Sequence, residues 1–371
     1  MATTDFDDDD VFSDKPERFP RFGWEALGSM SPAYFGMVMA TGVVSIAANL
    51  SGHDTIARAL FILNIVFYVV LLVLSGLRTV FALRRVLFDL THHRRAPSFF
   101  TSVAGTSIVG IQCIEFAHRP DIAIGLWILA IIMWLGLTYS IFTALIIKTN
   151  KPTLDHGING SWLLAVVATQ SIAVLGSILT ANHALPDRLE MNFFALSIWL
   201  WGGMLYIWMI SLIFYRDVFF RFSPHDLAPP YWINMGAMAI STLAGSLLIL
   251  NAGDAPYLKS LLPFLKGFTI FYWATGVWWI PMLIVLELWC YVFKKFPVRY
   301  DPLYWGAVFP LGMYAAGTYT MDKAMHFGFL EPLPTAFFYI ALVAWAATFV
   351  GLARQLWDRA MHTWRPGAAR G

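Results

Sequence analysis

The sequence predicts an all-α integral membrane protein, and three observations carry that prediction. Hydrophobic residues fill 58% of the 371 positions and charged residues 13%, against about 45–50% and ~25% in soluble domains. The apolar residues are gathered into ten runs, each near the length of about 20 residues that a membrane helix needs. Every second run is interrupted by Gly, Pro and hydroxyl residues, with Phe309 beside Pro310 in the ninth. Such a chain takes lipid as its main solvent, and in lipid a backbone has to satisfy its own hydrogen bonds, as a helix does.

The runs lie at about 31–50, 57–82, 99–116, 122–147, 160–181, 191–214, 231–251, 262–292, 305–321 and 335–356. Short connections join the first to the second, the third to the fourth and so on, which makes five antiparallel hairpins. Ser31 followed by Pro32 reads as a helix start, with the hydroxyl as cap and the proline in the first turn. Residues 1–29 are polar and carry the acidic run Asp7 to Asp10. They read as a tail with no leader peptide, since a leader is basic first and apolar next, ending in a short interfacial helix near Trp24. Residues 30–357 then form one transmembrane domain, and 358–371 a second tail.

Orientation follows from the basic residues at the run ends. One set of connections and tails holds eighteen of them, among them Arg84, Arg85, Arg94, Arg95, Lys294 and Lys295. The opposite set holds six: Arg58, Arg119, Arg188, Lys259, Lys266 and Lys323. The positive-inside rule puts both termini in the cytoplasm of a multi-pass cell-membrane protein. The net charge of +2 is thus a topology signal and gives no warrant for nucleic-acid binding.

The members of each hairpin differ. Odd runs carry small and hydroxyl clusters: Ala40–Thr41–Gly42, Ala104–Gly105–Thr106, Ala168–Thr169–Gln170, Ala244–Gly245–Ser246 and Ala316–Gly317–Thr318. Even runs are richer in Leu, Ile, Phe and Trp and read as a lipid-facing layer. Small residues let helices approach closely, and their hydroxyls offer hydrogen bonds where the bilayer offers none. Two readings are open, packing notches or the wall of a passage, and confinement to alternate runs favours an inner ring. Phe35, Thr41, Gly42, Gly105, Thr106, Thr169, Gly245, Ser246, Gly306 and Thr318 are the candidate lining residues.

Little else bears chemistry. All nine histidines fall in connections or at run ends, and no metal-ligand pair, nucleophile elbow or phosphate loop is present. No cofactor or metal is expected, and an enzyme would need clustered acids or nucleophiles that the runs lack. Cys113 and Cys290 fall near opposite faces of the bilayer, too far apart for a disulfide. Glu115 and Glu287 alone put carboxylates inside runs, both near an end, where an interfacial role is the simpler reading. Arg78 and Lys266 read as span-edge anchors before attractors of anions. The ninth run is the shortest and holds the sharpest feature, Phe309 beside Pro310. The proline cannot donate to the carbonyl of Gly306, and a kinked backbone is tolerated where it lines a cavity or is buried in protein. A phenylalanine at that point either packs or plugs.

Four stretches, "SPAYFGMVMATGVVSIA", "NGSWLLAVVATQSIAVLG", "WATGVWWIPML" and "YWGAVFPLGMYAAGT", resemble the tellurite-resistance/dicarboxylate transporter family. That family embraces tellurite-resistance channel homologues, malate permeases, sulfite efflux pumps and plant slow anion channels. The resemblance covers about 30–356. It implies five hairpins in quasi-fivefold arrangement around a central pore, a homotrimer with one pore per subunit, and an occluding role for Phe309. It implies a small anionic substrate, with a C4-dicarboxylate such as malate first and sulfite or another small inorganic anion next. A membrane enzyme and a scaffold binding a partner through the Arg84–Arg95 connection are the readings of other classes.

Overall fold

The computed structural model describes residues 27–364 except 186, 225, 228, 298 and 299. The interfacial helix expected near Trp24 and most of both tails lie outside the described residues. Ten long helices follow one another: α1 (Phe35–Leu50), α2 (Asp54–Phe81), α3 (Phe100–Glu115), α4 (Pro120–Ile147), α5 (Leu164–Ala181), α6 (Arg188–Phe219), α7 (Ile233–Leu250), α8 (Leu262–Glu287), α9 (Trp305–Met325) and α10 (Pro332–Trp364). Among the described residues nine of them, α9 excepted, are long and apolar enough to cross a membrane. The helix formed by the ninth run is not the shortest. It has 21 residues, more than the 16 of α1 or α3. The apolar run stops before Asp322 and Lys323, but the helix continues to Met325 and ends on His326 in the left-handed region at φ 58°. Hydropathy marks where lipid contact ends, and helical hydrogen bonding carries on beyond it.

The two kinds of helix are two layers. In the windows that include α1, α3, α5 and α7, between 83% and 100% of residues are buried inside the protein, against 17% to 50% in α2, α4, α6, α8 and α10. The inner helices pack in sequence, α1 on α3, α3 on α5, α5 on α7 and α7 on α9, and α9 packs back on α1. Each outer helix lies on its own hairpin partner and on the inner helix that follows, so that α10 reaches α1. Burial of small residues on every side is what helix contact in lipid selects for, because close backbone approach replaces the hydrophobic drive.

All five inner helices are entered through a 3₁₀ turn: Pro32–Tyr34, Ala96–Phe99, Gly160–Leu163, Pro229–Trp232 and Pro302–Tyr304. These turns also pack on one another in a closed cycle. Three are capped by a side chain, as Ser31 accepts from the Ala33 amide at 3.2 Å, Asn159 from Ser161 at 3.0 Å and Asp301 from Leu303 at 2.7 Å. The Ser31–Pro32 start is therefore as expected, and it recurs in varied form at the other inner helices.

Buried ion pairs fasten the connections at this end. Arg78, at the foot of α2, pairs with Asp89 of the short helix Leu83–Leu90, which also takes Arg95 at 2.9 Å. Arg216, at the foot of α6, reaches Asp226 at 2.6 Å and Asp217 at 3.3 Å. Ser223 donates to Asp226 through both its amide and its hydroxyl. Arg78 is 3% exposed, which makes it an anchor.

Candidate functional site

The inner helices enclose a cavity of about 90 Å³ in the half nearer their C-terminal ends, with all five contributing to its wall. Val43, Ile46 and Leu50 come from α1, Ile108, Ile111 and Glu115 from α3, Ile178 from α5, Leu243 and Leu247 from α7, and Met313, Ala316 and Thr320 from α9. Among the described residues of this wall Glu115 is the sole ionisable group. The spacing of Met313, Ala316 and Thr320 marks one face of α9. Phe309, four residues before Met313, lies on that face one turn nearer the 3₁₀ turns, and its side chain is fully buried.

Close backbone approach holds Phe309 there. A Cβ on Gly236 of α7 would stand 2.6 Å from the Pro310 ring, and one on Gly317 would stand 2.7 Å from the Ala239 carbonyl oxygen. Glycine at both points lets α7 and α9 touch closely. The helix α9 runs continuously through Pro310, whose missing N–H leaves the Gly306 carbonyl without its intrahelical donor. Gly236 was invisible in the sequence, since a lone glycine in an apolar run has no spacing to mark it.

The ten candidate lining residues fall elsewhere, and none is on the cavity wall. Three glycines are helix contacts. A Cβ on Gly42 would meet Ile108 at 2.3 Å, one on Gly245 would meet Thr269 at 2.3 Å, and one on Gly105 would touch Val38 at 3.4 Å. A Cβ on Gly306 would meet nothing nearer than Ile233, at 3.6 Å. Phe35 and Thr106 line a separate cavity of about 170 Å³ between the foot of α2 and the starts of α1 and α3. The Ser246 hydroxyl donates within its own helix, to the Thr242 carbonyl at 2.8 Å.

The remaining hydroxyls are turned to the outer layer. The indole N–H of Trp345 on α10 donates to Thr41 at 2.9 Å, that of Trp134 on α4 to Thr169 at 2.8 Å, and that of Trp273 on α8 to Thr318 at 3.0 Å. The Tyr68 hydroxyl on α2 meets Thr106 at 3.1 Å, and Trp199 on α6 donates to the Ser241 carbonyl of α7 at 2.9 Å. Each bond joins an outer helix to the inner helix that follows it. Thr41, Thr106, Thr169 and Thr318 thus make hydrogen bonds between the layers, an arrangement that accords with the packing alternative of the sequence reading. The signal that could have shown this is the indole on each even run except α2, which has Tyr68.

Glu115 closes the C-terminal end of α3. Its carboxylate accepts from the Asn49 side-chain amide of α1 at 2.9 Å. Glu287 accepts instead from the indole N–H of Trp232 and sits by a cavity of about 40 Å³ near Tyr291 and Tyr304. Cys113 and Cys290 are both buried and free.

A wall drawn from every inner helix, apolar but for Glu115 and Thr320, can hold a small solute. Comparison with known proteins agrees in kind. The profile of the voltage-dependent anion channel family, SLAC1, matches residues 29–353. The chain belongs to this family. An uncharacterised transporter of Methanocaldococcus jannaschii is 25% identical to this family member over 336 residues, covering 88% of this chain and 93% of its own. A sulfite efflux pump of Trichophyton rubrum is 24% identical over 357 residues, covering 89% and 91%. An uncharacterised membrane protein of Mycobacterium tuberculosis is 38% identical over 152 residues, 41% of this chain and 77% of its own. The resemblance seen in the four sequence stretches is to this family of anion channels and transporters.

Proposed function

We propose that the chain is a ten-helix anion permease, quasi-fivefold in plan, whose path runs along the axis of the inner helices and is occluded by Phe309. The carrying observation is the cavity bounded by all five inner helices, which ends one turn from Phe309 on the same face of α9. An aromatic ring in an apolar constriction stops ions sterically and by excluding water. The parallel inner helices also turn their N-termini, with their partial positive charge, to one end. By the basic-residue count that end is cytoplasmic, so the helix dipoles favour anions arriving from inside the cell. Both termini are then cytoplasmic and the cavity faces outward. Family membership supports a homotrimer in the cell membrane with one path per subunit.

The substrate reading moves toward a small oxyanion of the sulfite class. Relatives aligned over 91% of their length are named sulfite efflux pumps, and a cavity of about 90 Å³ suits a compact anion. A C4-dicarboxylate such as malate, which the sequence stretches favour, comes second. The test is flux through liposomes holding wild type or Phe309→Ala, with sulfite, malate and chloride at clamped voltage, with and without a pH gradient. Flux in the variant is expected to exceed wild type by tenfold or more, which a barrier lowered by about 1.4 kcal/mol suffices to give. A folded variant with unchanged flux would remove Phe309 from the gate, and sulfite slower than malate would reverse the substrate order.

A further inference from the structure

The cavity wall carries one ionisable side chain, and its partner is unlike those of the acids at the opposite end of the bundle. Asp89 and Asp226 are bonded to arginines that neutralise them in place. Glu115 accepts a hydrogen bond from Asn49, a neutral amide, and presents its carboxyl to a space otherwise walled by hydrocarbon, a thioether and one threonine. Resting on the permease reading, we propose that Glu115 is a proton-sensitive selectivity residue of the anion path. Ionised, it holds anions back, dianions more than monoanions, and protonated it admits them.

The physical case is the field of a single charge in a narrow apolar space. Like charges repel in proportion to the product of their charges, and the repulsion grows as the local dielectric falls below that of water. An anion passing the wall therefore meets a barrier that doubles for a dianion and vanishes when the carboxyl takes a proton. The groups facing Glu115 leave that barrier in place. From α1 comes Asn49, from α5 Ile178, from α7 Leu243 and Leu247, and from its own helix Ile111. From α9 comes the exposed ammonium of Lys323, which acts on Glu115 across space. Lys323 sits at the end of α9 in contact with solvent, where salt screens it, while Glu115 is on the wall itself. The sign follows directly: lowering the pH on the cavity side raises flux, and raising it favours monoanions over dianions.

The experiment uses chloride and sulfate, neither of which titrates between mild acid and neutrality, in liposomes with the pH set on the cavity side. Phe309→Ala supplies a flux large enough to measure, and Glu115→Gln and Glu115→Asp are added to it. Glutamine keeps an acceptor for Asn49 and loses the charge, and aspartate keeps the charge. In the Phe309→Ala parent, chloride flux is expected to climb as pH falls, with sulfate far behind. Glu115→Gln should lift neutral-pH chloride flux by more than tenfold, with about a thousandfold the upper bound set by removing one like charge ~4 Å from an ion at an effective dielectric near 20. It should also flatten the pH profile and raise the sulfate-to-chloride ratio, while Glu115→Asp keeps the parent profile. A pH profile and ion ratio unchanged by Glu115→Gln would overturn the inference and leave the permease standing. Absence of flux for every anion in wild type and Phe309→Ala would overturn the permease and the inference with it.

Discussion

The two ends of the inner bundle are built from the same kinds of helix and handle charge in opposite ways. At the N-terminal end, five 3₁₀ turns pack on one another, and the buried guanidiniums of Arg78 and Arg216 are locked to Asp89 and Asp226. At the C-terminal end a cavity opens, and its acid, Glu115, has only an amide for a partner on the neighbouring helix. A buried charge held by an opposite charge is a structural element whose loss is felt as instability. A charge bordering an open space with a neutral partner is left able to act on whatever enters. Formal charge is alike in the two cases, and the partner is what separates a fastening from a proposed filter.

The largest stability effect belongs to the N-terminal end. Asp89→Ala leaves the Arg78 guanidinium, 3% exposed, with only a 3.4 Å contact to the Gly28 carbonyl in place of its carboxylate. An uncompensated buried charge of this kind costs about 3–5 kcal/mol, which should appear as a lower denaturation midpoint in detergent. The same variant should leave the pH profile and sulfate-to-chloride ratio of the surviving protein untouched, since Asp89 lies off the axis. A changed ion ratio in Asp89→Ala would erase the distinction between the ends.

A smaller effect tests the join between them. Gly317→Ala drives a methyl to 2.7 Å from a backbone oxygen of α7, an atom with no rotamer to move out of the way. Overpacking of this sort costs about 1–3 kcal/mol, and here relief requires α9 to shift against α7, carrying Phe309 with it. Gly317→Ala should therefore lower stability and alter basal flux together. Stability lost with flux unaltered would mean that the α7–α9 contact is independent of the cavity.

What the sequence conveys and what it hides follow from how each feature is encoded. Helical class and layer were legible because burial in lipid is written residue by residue, as in the contrast between the inner helix α5, which carries Ser and Thr along its length, and the Leu- and Trp-bearing outer helix α4. Phe309 and Pro310 stood out because proline inside a helix has a fixed physical consequence. The direction of a hydroxyl has no such signature. Thr41 and Thr169 read equally well toward an axis or toward an indole, and only the neighbour at 2.8–2.9 Å decides. Glu115 looked interfacial because its position along the helix is terminal, whereas the cavity it borders is made with four other helices that no local window contains.

The smallest effect concerns that hydroxyl seam, which ties the outer layer to both ends alike. Trp345→Phe keeps the ring that stacks on Phe349 at 5.1 Å and removes the N–H given to Thr41. Side-chain hydrogen bonds between membrane helices average about 0.6 kcal/mol in double-mutant cycles, so the single variant should be only slightly less stable than wild type. The informative quantity is the coupling with Thr41→Val. If the bond is a seam, the double variant should cost about 0.6 kcal/mol less than the sum of the two single changes, and neither should alter which anions pass. If Thr41 faces the path instead, Thr41→Val changes the ion ratio while Trp345→Phe does not. A selectivity change in one partner without the other would return Thr41 to the wall of the passage and leave the seam with one bond fewer.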